Sequence, residues 1–211
     1  MGCKSPSPGA FISLVLLLTI TIWADASGAA SIQDLIRAGT VTVRGQGMGA
    51  DSGDNLVLSI RNNAGSPVEV QVPAGTILRP AQSHYAALVV RRVRGVMVDS
   101  DSFEEIEKVQ LAPGVSMRLL VESFSMRFGR TTPAQSTVLQ VDGRDPLLGM
   151  LLEKSLSKTY SLKIVQAIVW LRSGGFTDAQ LEKKLGIDSL SVMEARDFFM
   201  SVEGEFHAKG K

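Results

Sequence analysis

Cysteine is nearly absent from this chain of 211 residues: Cys3 is the only one, and it precedes a long apolar run. That excludes an internal disulfide framework and a thiolate-built metal site. Histidine is almost as scarce, with only His84 and His207, so a histidine-rich metal centre is excluded too. A serine triad would have to take its base from His84, yet no G-x-S-x-G elbow presents a nucleophile, and His84 reads as a loop residue between strands. Charge of one sign is also lacking. The 22 Lys and Arg face 21 Asp and Glu, for a formal net charge of +1, which leaves no general electrostatic footprint for nucleic acid. The glycines of Arg44-Gly45-Gln46-Gly47-Met48-Gly49 lead into Asp51-Ser52-Gly53-Asp54 rather than a helix, which a dinucleotide fingerprint requires. Asp51, Asp54, Asp99 and Asp101 lack the D-x-D-x-D-G spacing of a calcium loop and read as turn residues. No catalytic residue, cofactor or metal site is expected.

What the chain does carry begins at its N-terminus. Lys4, an uninterrupted apolar run over residues 10–24, and the small residues Ala24-Asp25-Ala26 follow the order of a secretory signal peptide, with cleavage expected after Ala26. The run is short for a spanning helix, which needs roughly 20 apolar residues. Residues 27–39 read as an N-terminal linker. The processed chain, roughly 185 residues, is long enough for one sizeable core.

Over residues 40–142 the dominant period is two. Val68-Glu69-Val70-Gln71-Val72 alternates, Leu56, Leu58 and Ile60 share a face, and Val115, Met117, Leu119 and Val121 repeat the pattern. Turn signals separate these runs at Asn62-Asn63-Ala64-Gly65, Pro73-Ala74-Gly75 and Pro113-Gly114. The spacing predicts an antiparallel β-sandwich. After Val121 the apolar phase slips to Phe124, Met126 and Phe128, which a β-bulge near Glu122-Ser123 would absorb.

Over residues 143–205 the period becomes helical, giving a small C-terminal subdomain before a polar tail over 206–211. Asp145-Pro146 caps a first helix striped by Leu147, Leu148, Leu151 and Leu152, and a second, over 162–171, halts at Gly174-Gly175. Thr177 with Gln180, and Ser191 with Glu194, have capping-box spacing and open two more. The fold class expected is mainly β with an α tail.

The stretch NLVLSIRNNAGSPVEVQVPAGTILRP resembles a recurring exported β-domain pattern. Val165-Gln166-Ala167-Ile168-Val169-Trp170 resembles the glutamine motif of bacterial surface thioester domains, an apolar residue, Gln, two variable residues, an apolar residue and Trp. The resemblance implies that Gln166 would be joined to an upstream cysteine as an internal thioester that traps nucleophiles. The expected cysteine region, Ser123-Phe124-Ser125-Met126, holds serines instead, and without a thiol no thioester forms. A plain helical reading places Val165, Ile168, Val169 and Trp170 in the core and leaves Gln166 partly exposed. Leu185-Gly186-Ile187-Asp188-Ser189-Leu190 resembles the phosphopantetheine segment of acyl carrier proteins, with Ser189 as the attachment point. A helix stop at Gly186 and a cap at Asp188 explain the same letters and are the reading taken here.

Arg91, Arg92 and Arg94 cluster on a strand that also carries Leu88, Val90, Val93 and Val96. Part of the cluster would face solvent and could meet an anionic glycan or lipid head group; the plainer alternative is edge-strand protection. The expectation is a secreted or periplasmic, non-enzymatic binding or interaction module whose partner is an extracytoplasmic protein or glycan, with no nucleic acid and no membrane once the signal is removed. A degenerate thioester-type surface adhesin and an enzyme with an unrecognised site are the alternatives.

Overall fold

A computed structural model describes residues 29–100, 102–127 and 129–210. The expected signal segment with its cleavage point and Cys3, and also Asp101 and Phe128, lie outside the described residues. The elements in chain order open with β1 (Ala30–Ser31), α1 (Ile32–Arg37), β2 (Val41–Gly47), β3 (Ser52–Asn62), β4 (Val68–Gln71) and β5 (Thr76–Pro80). They continue with β6 (Leu88–Met97), β7 (Phe103–Glu104), β8 (Val109–Leu111), β9 (Ser116–Ser125) and β10 (Val138–Arg144). Four helices follow: α2 (Pro146–Ser155), α3 (Leu162–Ser173), α4 (Asp178–Leu185) and α5 (Ser189–Lys209).

Antiparallel pairing runs β5, β10, β2, β3, β9, β6, and β6 returns to β5 through Ile77 opposite Val89 and Leu78 opposite Leu88. The sandwich expectation is thus corrected: the strands close into a six-stranded barrel. Alternation is common to both architectures, since each needs strands with one buried face; closure depends on pairings between distant segments. Leu56, Leu58, Ile60, Leu78, Leu88, Val90, Leu119, Val121 and Leu139 fill the interior, as a barrel this small requires. Gly45 makes room in the interior where β2 meets β10, since a Cβ there would lie 2.6 Å from Leu78 Cδ2 and 3.0 Å from Leu139 Cβ. A small sheet, β1-β4-β8, lies apart from the ring.

The linker expected over 27–39 is also corrected. Ser31 caps α1 by accepting from the Asp34 N–H, and Ile32 and Leu35 join the core that includes the barrel interior. The expected bulge in β9 falls instead on its two neighbours. Opposite β9, β3 carries the extra residue Asn55 between Asp54 and Leu56, and β6 carries Arg91 between Val90 and Arg92. β9 itself runs on. Ser123 and Ser125 stay in the inward alternation of Leu119 and Val121, while Phe124 points outward into the core beneath the helices. The slip in apolar phase therefore marks where the outer face of the strand becomes buried.

The helices stack on that face. Asp145 caps α2, the Thr177–Gln180 capping box opens α4, and Gly186 in left-handed conformation ends it. Asp188 rather than Ser191 caps α5, accepting from the Ser191 N–H at 2.8 Å, so the segment around Ser189 is a helix junction. The polar tail expected from residue 206 is the last stretch of α5. Helix α3 packs between α5 on one side and β3 and β9 on the other. No helix among the described residues is long and apolar enough to cross a membrane.

Candidate functional site

Two of the sequence candidates meet at the seam between barrel and helices. Gln166 and Trp170 lie on successive turns of α3 and both donate to the main-chain carbonyl of Ser125 at the end of β9, at 2.7 Å from Nε2 and 2.9 Å from Nε1. Gln166 is 1% exposed, which corrects the expectation of a partly exposed helix residue. Its Oε1 is buried with no hydrogen-bond partner among the described residues. One turn on, the Ser173 hydroxyl donates to the Met126 carbonyl at 2.7 Å, so α3 is latched to two consecutive residues at the strand end. Inside the barrel, the Ser123 hydroxyl bonds Asn55 Oδ1, and the Ser125 hydroxyl donates to the Arg127 carbonyl at 3.3 Å.

Beside this latch lies an open cavity of about 510 Å³, lined by Arg79, Ala87, Met126, Arg127, Ser173 and Phe176. The Phe176 ring sits 6.0 Å from that of Trp170. A second cavity of about 280 Å³ shares Arg79, Ala87 and Arg127 and adds Tyr85 and Arg130. The lining segments are fixed from below: Met126 N–H donates to Ala87 O at 2.9 Å, Ala86 N–H to Thr131 O at 2.9 Å, and Tyr85 bridges Thr131. Neither Arg127 nor Arg130 attracts attention in the sequence, because isolated loop arginines leave no periodic signal.

The other candidates, Arg91, Arg92 and Arg94, converge on Glu122, which the sequence offered only as a bulge position. Arg91 Nη1 meets Glu122 Oε1 at 2.6 Å, Arg92 Nε meets Oε2 at 2.7 Å, and Arg94 Nη1 lies 4.0 Å from Oε2 and 3.6 Å from Asp54 Oδ1. Arg91 also donates to the Ser155 carbonyl at the end of α2, at 3.0 Å, which ties the helices to the barrel. Burial pushes the Glu122 carboxyl up, but hydrogen bonds from Arg92 and Arg91, with their charges, outweigh it and hold the group below the usual carboxylate range. The arrangement is an ionic knot. β6 pairs with β9 along this stretch, while on its other side it pairs with β5 at Leu88 and Val89 and with β7 at Val96 and Met97, and the arginines between are tied to Glu122 of β9. The available signal was Glu122 itself, an acid within the apolar run Leu119-Leu120-Val121.

His84 lies exposed in the loop between β5 and β6, its ring 4.1 Å from that of Tyr85. Asp51 accepts from the Thr132 hydroxyl, Asp54 faces Arg94, and Asp99 accepts from the Ser102 N–H at 2.8 Å. Among the described residues no group of three or more His, Cys, Asp or Glu side chains could hold a metal ion. No family model, curated protein or solved structure matches the chain.

Proposed function

We propose that this chain is an exported, non-catalytic binding module that engages its ligand at the seam between barrel and helices. The observation that carries the reading is the open cavity of about 510 Å³ there, which presents cationic, apolar and main-chain groups from both layers on a latched frame. The exported protein, passed over a panel of immobilised extracellular glycans and proteins, should bind reversibly and be stripped fully by denaturant. Chemical conversion of a panel member, or an adduct that survives denaturation, would contradict the reading.

A second reading is favoured by the Gln166 latch: the module is a thioester-type surface domain that has lost its thiol. The motif glutamine is buried against the strand end where the resemblance expects the cysteine, with its amide carbonyl oxygen unengaged. Cysteine placed in turn at Ser123, Phe124, Ser125 and Met126 should, at one position, attack the Gln166 carbonyl carbon and expel ammonia, leaving a thioester. Intact-mass measurement would detect the lost ammonia, and methylamine would add at the same bond. Unchanged masses at all four positions would remove this reading.

A further inference from the structure

The arginines along the seam differ in how they are used. Arg79 is held by Asp142, Nε to Oδ2 at 2.5 Å, and Arg172 by Asp145 at 3.0 Å. Arg127 and Arg130 are exposed, and no described carboxylate lies within ion-pair distance of either. Arg127 lines both cavities and Arg130 the smaller one, and the shared Arg79, Ala87 and Arg127 make the two adjoin as a trough. Two uncompensated guanidinium groups on a pinned loop, in a chain of near-neutral charge, form a local anion field with fork geometry suited to carboxylate or sulfate oxygens.

The rest of the lining narrows the ligand. Tyr85 and Phe176 are half-buried, and each lines one of the two cavities, Tyr85 the smaller and Phe176 the larger. Aromatic residues spaced along a cationic groove suit a chain of repeating units that each carry an apolar C–H face and oxyanions. A membrane surface would need exposed apolar side chains around the arginines, but among the described residues the exposed large ones, including Met48, Val98, Leu190 and Met200, line neither cavity. An extended peptide adding to the sheet would need a free edge, and β5 and β6, which flank the trough, are paired to each other and to their other neighbours.

We infer that the trough between Arg127, Arg130 and Arg79 is the ligand site and that its ligand is an acidic oligosaccharide, carboxylated or sulfated. The inference rests on the binding-module reading and gives it a site and a substrate class. Arg127 and Arg130 clamp the oxyanions, Arg79 is set by Asp142 at the junction of the two cavities, and Tyr85 and Phe176 stack on sugar faces.

The test uses the exported protein with four probes in parallel: an oligogalacturonate, a heparin-derived sulfated oligosaccharide, a polyglutamate peptide and vesicles containing anionic phospholipid. One or both oligosaccharides should bind, and the double variant Arg127→Ala/Arg130→Ala should weaken binding by about tenfold or more. The control Arg61→Ala, an exposed arginine on β3, should leave binding unchanged. The two oligosaccharide arms distinguish carboxylate from sulfate as the source of the oxyanion. Both substituted side chains are exposed, and an unchanged circular dichroism spectrum verifies the fold. Failure of both oligosaccharides, tighter binding of polyglutamate or vesicles, or an equal loss with Arg61→Ala would overturn the inference. Binding of some other panel member, untouched by the double variant, would overturn it while leaving the binding-module reading in place.

Discussion

Ser125 offers one carbonyl oxygen to two donors, and this sharing sets what substitution should do. Removing either donor leaves the oxygen satisfied by the other, whereas removing both buries it unpaired at a cost of about 1–3 kcal/mol. Gln166→Leu combined with Trp170→Phe should therefore destabilise by about that much more than the two single variants summed, measured by denaturant unfolding. Strict additivity would contradict the shared bond. Ser125→Ala should show no such coupling to Gln166→Leu, because the acceptor belongs to the main chain. Glu122 is the second residue on which much turns. Glu122→Gln leaves Arg91 buried without its countercharge and should cost about 3–5 kcal/mol. The pH dependence follows from the depressed carboxyl. A folded value below the ordinary 4.5 makes this contribution fully present above about pH 4.5, and it is lost as pH falls from there through the folded value. Acid titration of stability should show that loss in the natural protein and lack it in Glu122→Gln; parallel curves would contradict the assignment.

The elements divide into those written locally and those written between distant segments. The period of two, the caps at Asp145, Thr177 and Asp188, and the change from strand to helix were legible because each depends on a few neighbouring residues, although β10 runs on to Arg144, past the expected end at residue 142. Barrel closure was not, since β10 enters between β5 and β2 and no local pattern specifies that. Helix α1 left a signal in Ser31-Ile32-Gln33-Asp34, where a cap precedes apolar residues. The Gln166–Trp170 pair was legible as a spacing, while its burial was not; the clue was a segment apolar all round, which belongs between two layers. The Pro73-Ala74-Gly75-Thr76 turn has a physical rationale in the structure. Gly75 has φ +83°, and a Cβ there would meet Asp145 O at 2.5 Å and Gly149 Cα at 2.8 Å, where α2 begins. Gly75→Ala should destabilise by at least about 1–3 kcal/mol, whereas Gly65→Ala, with open space around it, should be near neutral in thermal unfolding. Equal melting temperatures for the two variants would show that α2 does not depend on this close approach.

At the scale of the whole molecule, the barrel has two apolar surfaces. Its interior is one core, and part of its outer face, through Ala74, Val89 and Phe124, belongs to the same cluster as Leu148, Leu151, Ile168 and Trp170 of the helices. The Arg91 bond to Ser155 and the Ser125 latch fasten that second layer at two separate points. A groove at such a seam takes side chains from both layers, so its shape persists only while the layers stay docked. The central claim, that ligand is held in this seam, is tested most directly by amide hydrogen exchange on the exported protein with and without a bound panel member. The account predicts slowed exchange concentrated in the 81–87 loop and in residues 173–176 after α3. Slowed exchange at the β2–β3 turn or along α5, with those two segments unchanged, would contradict it.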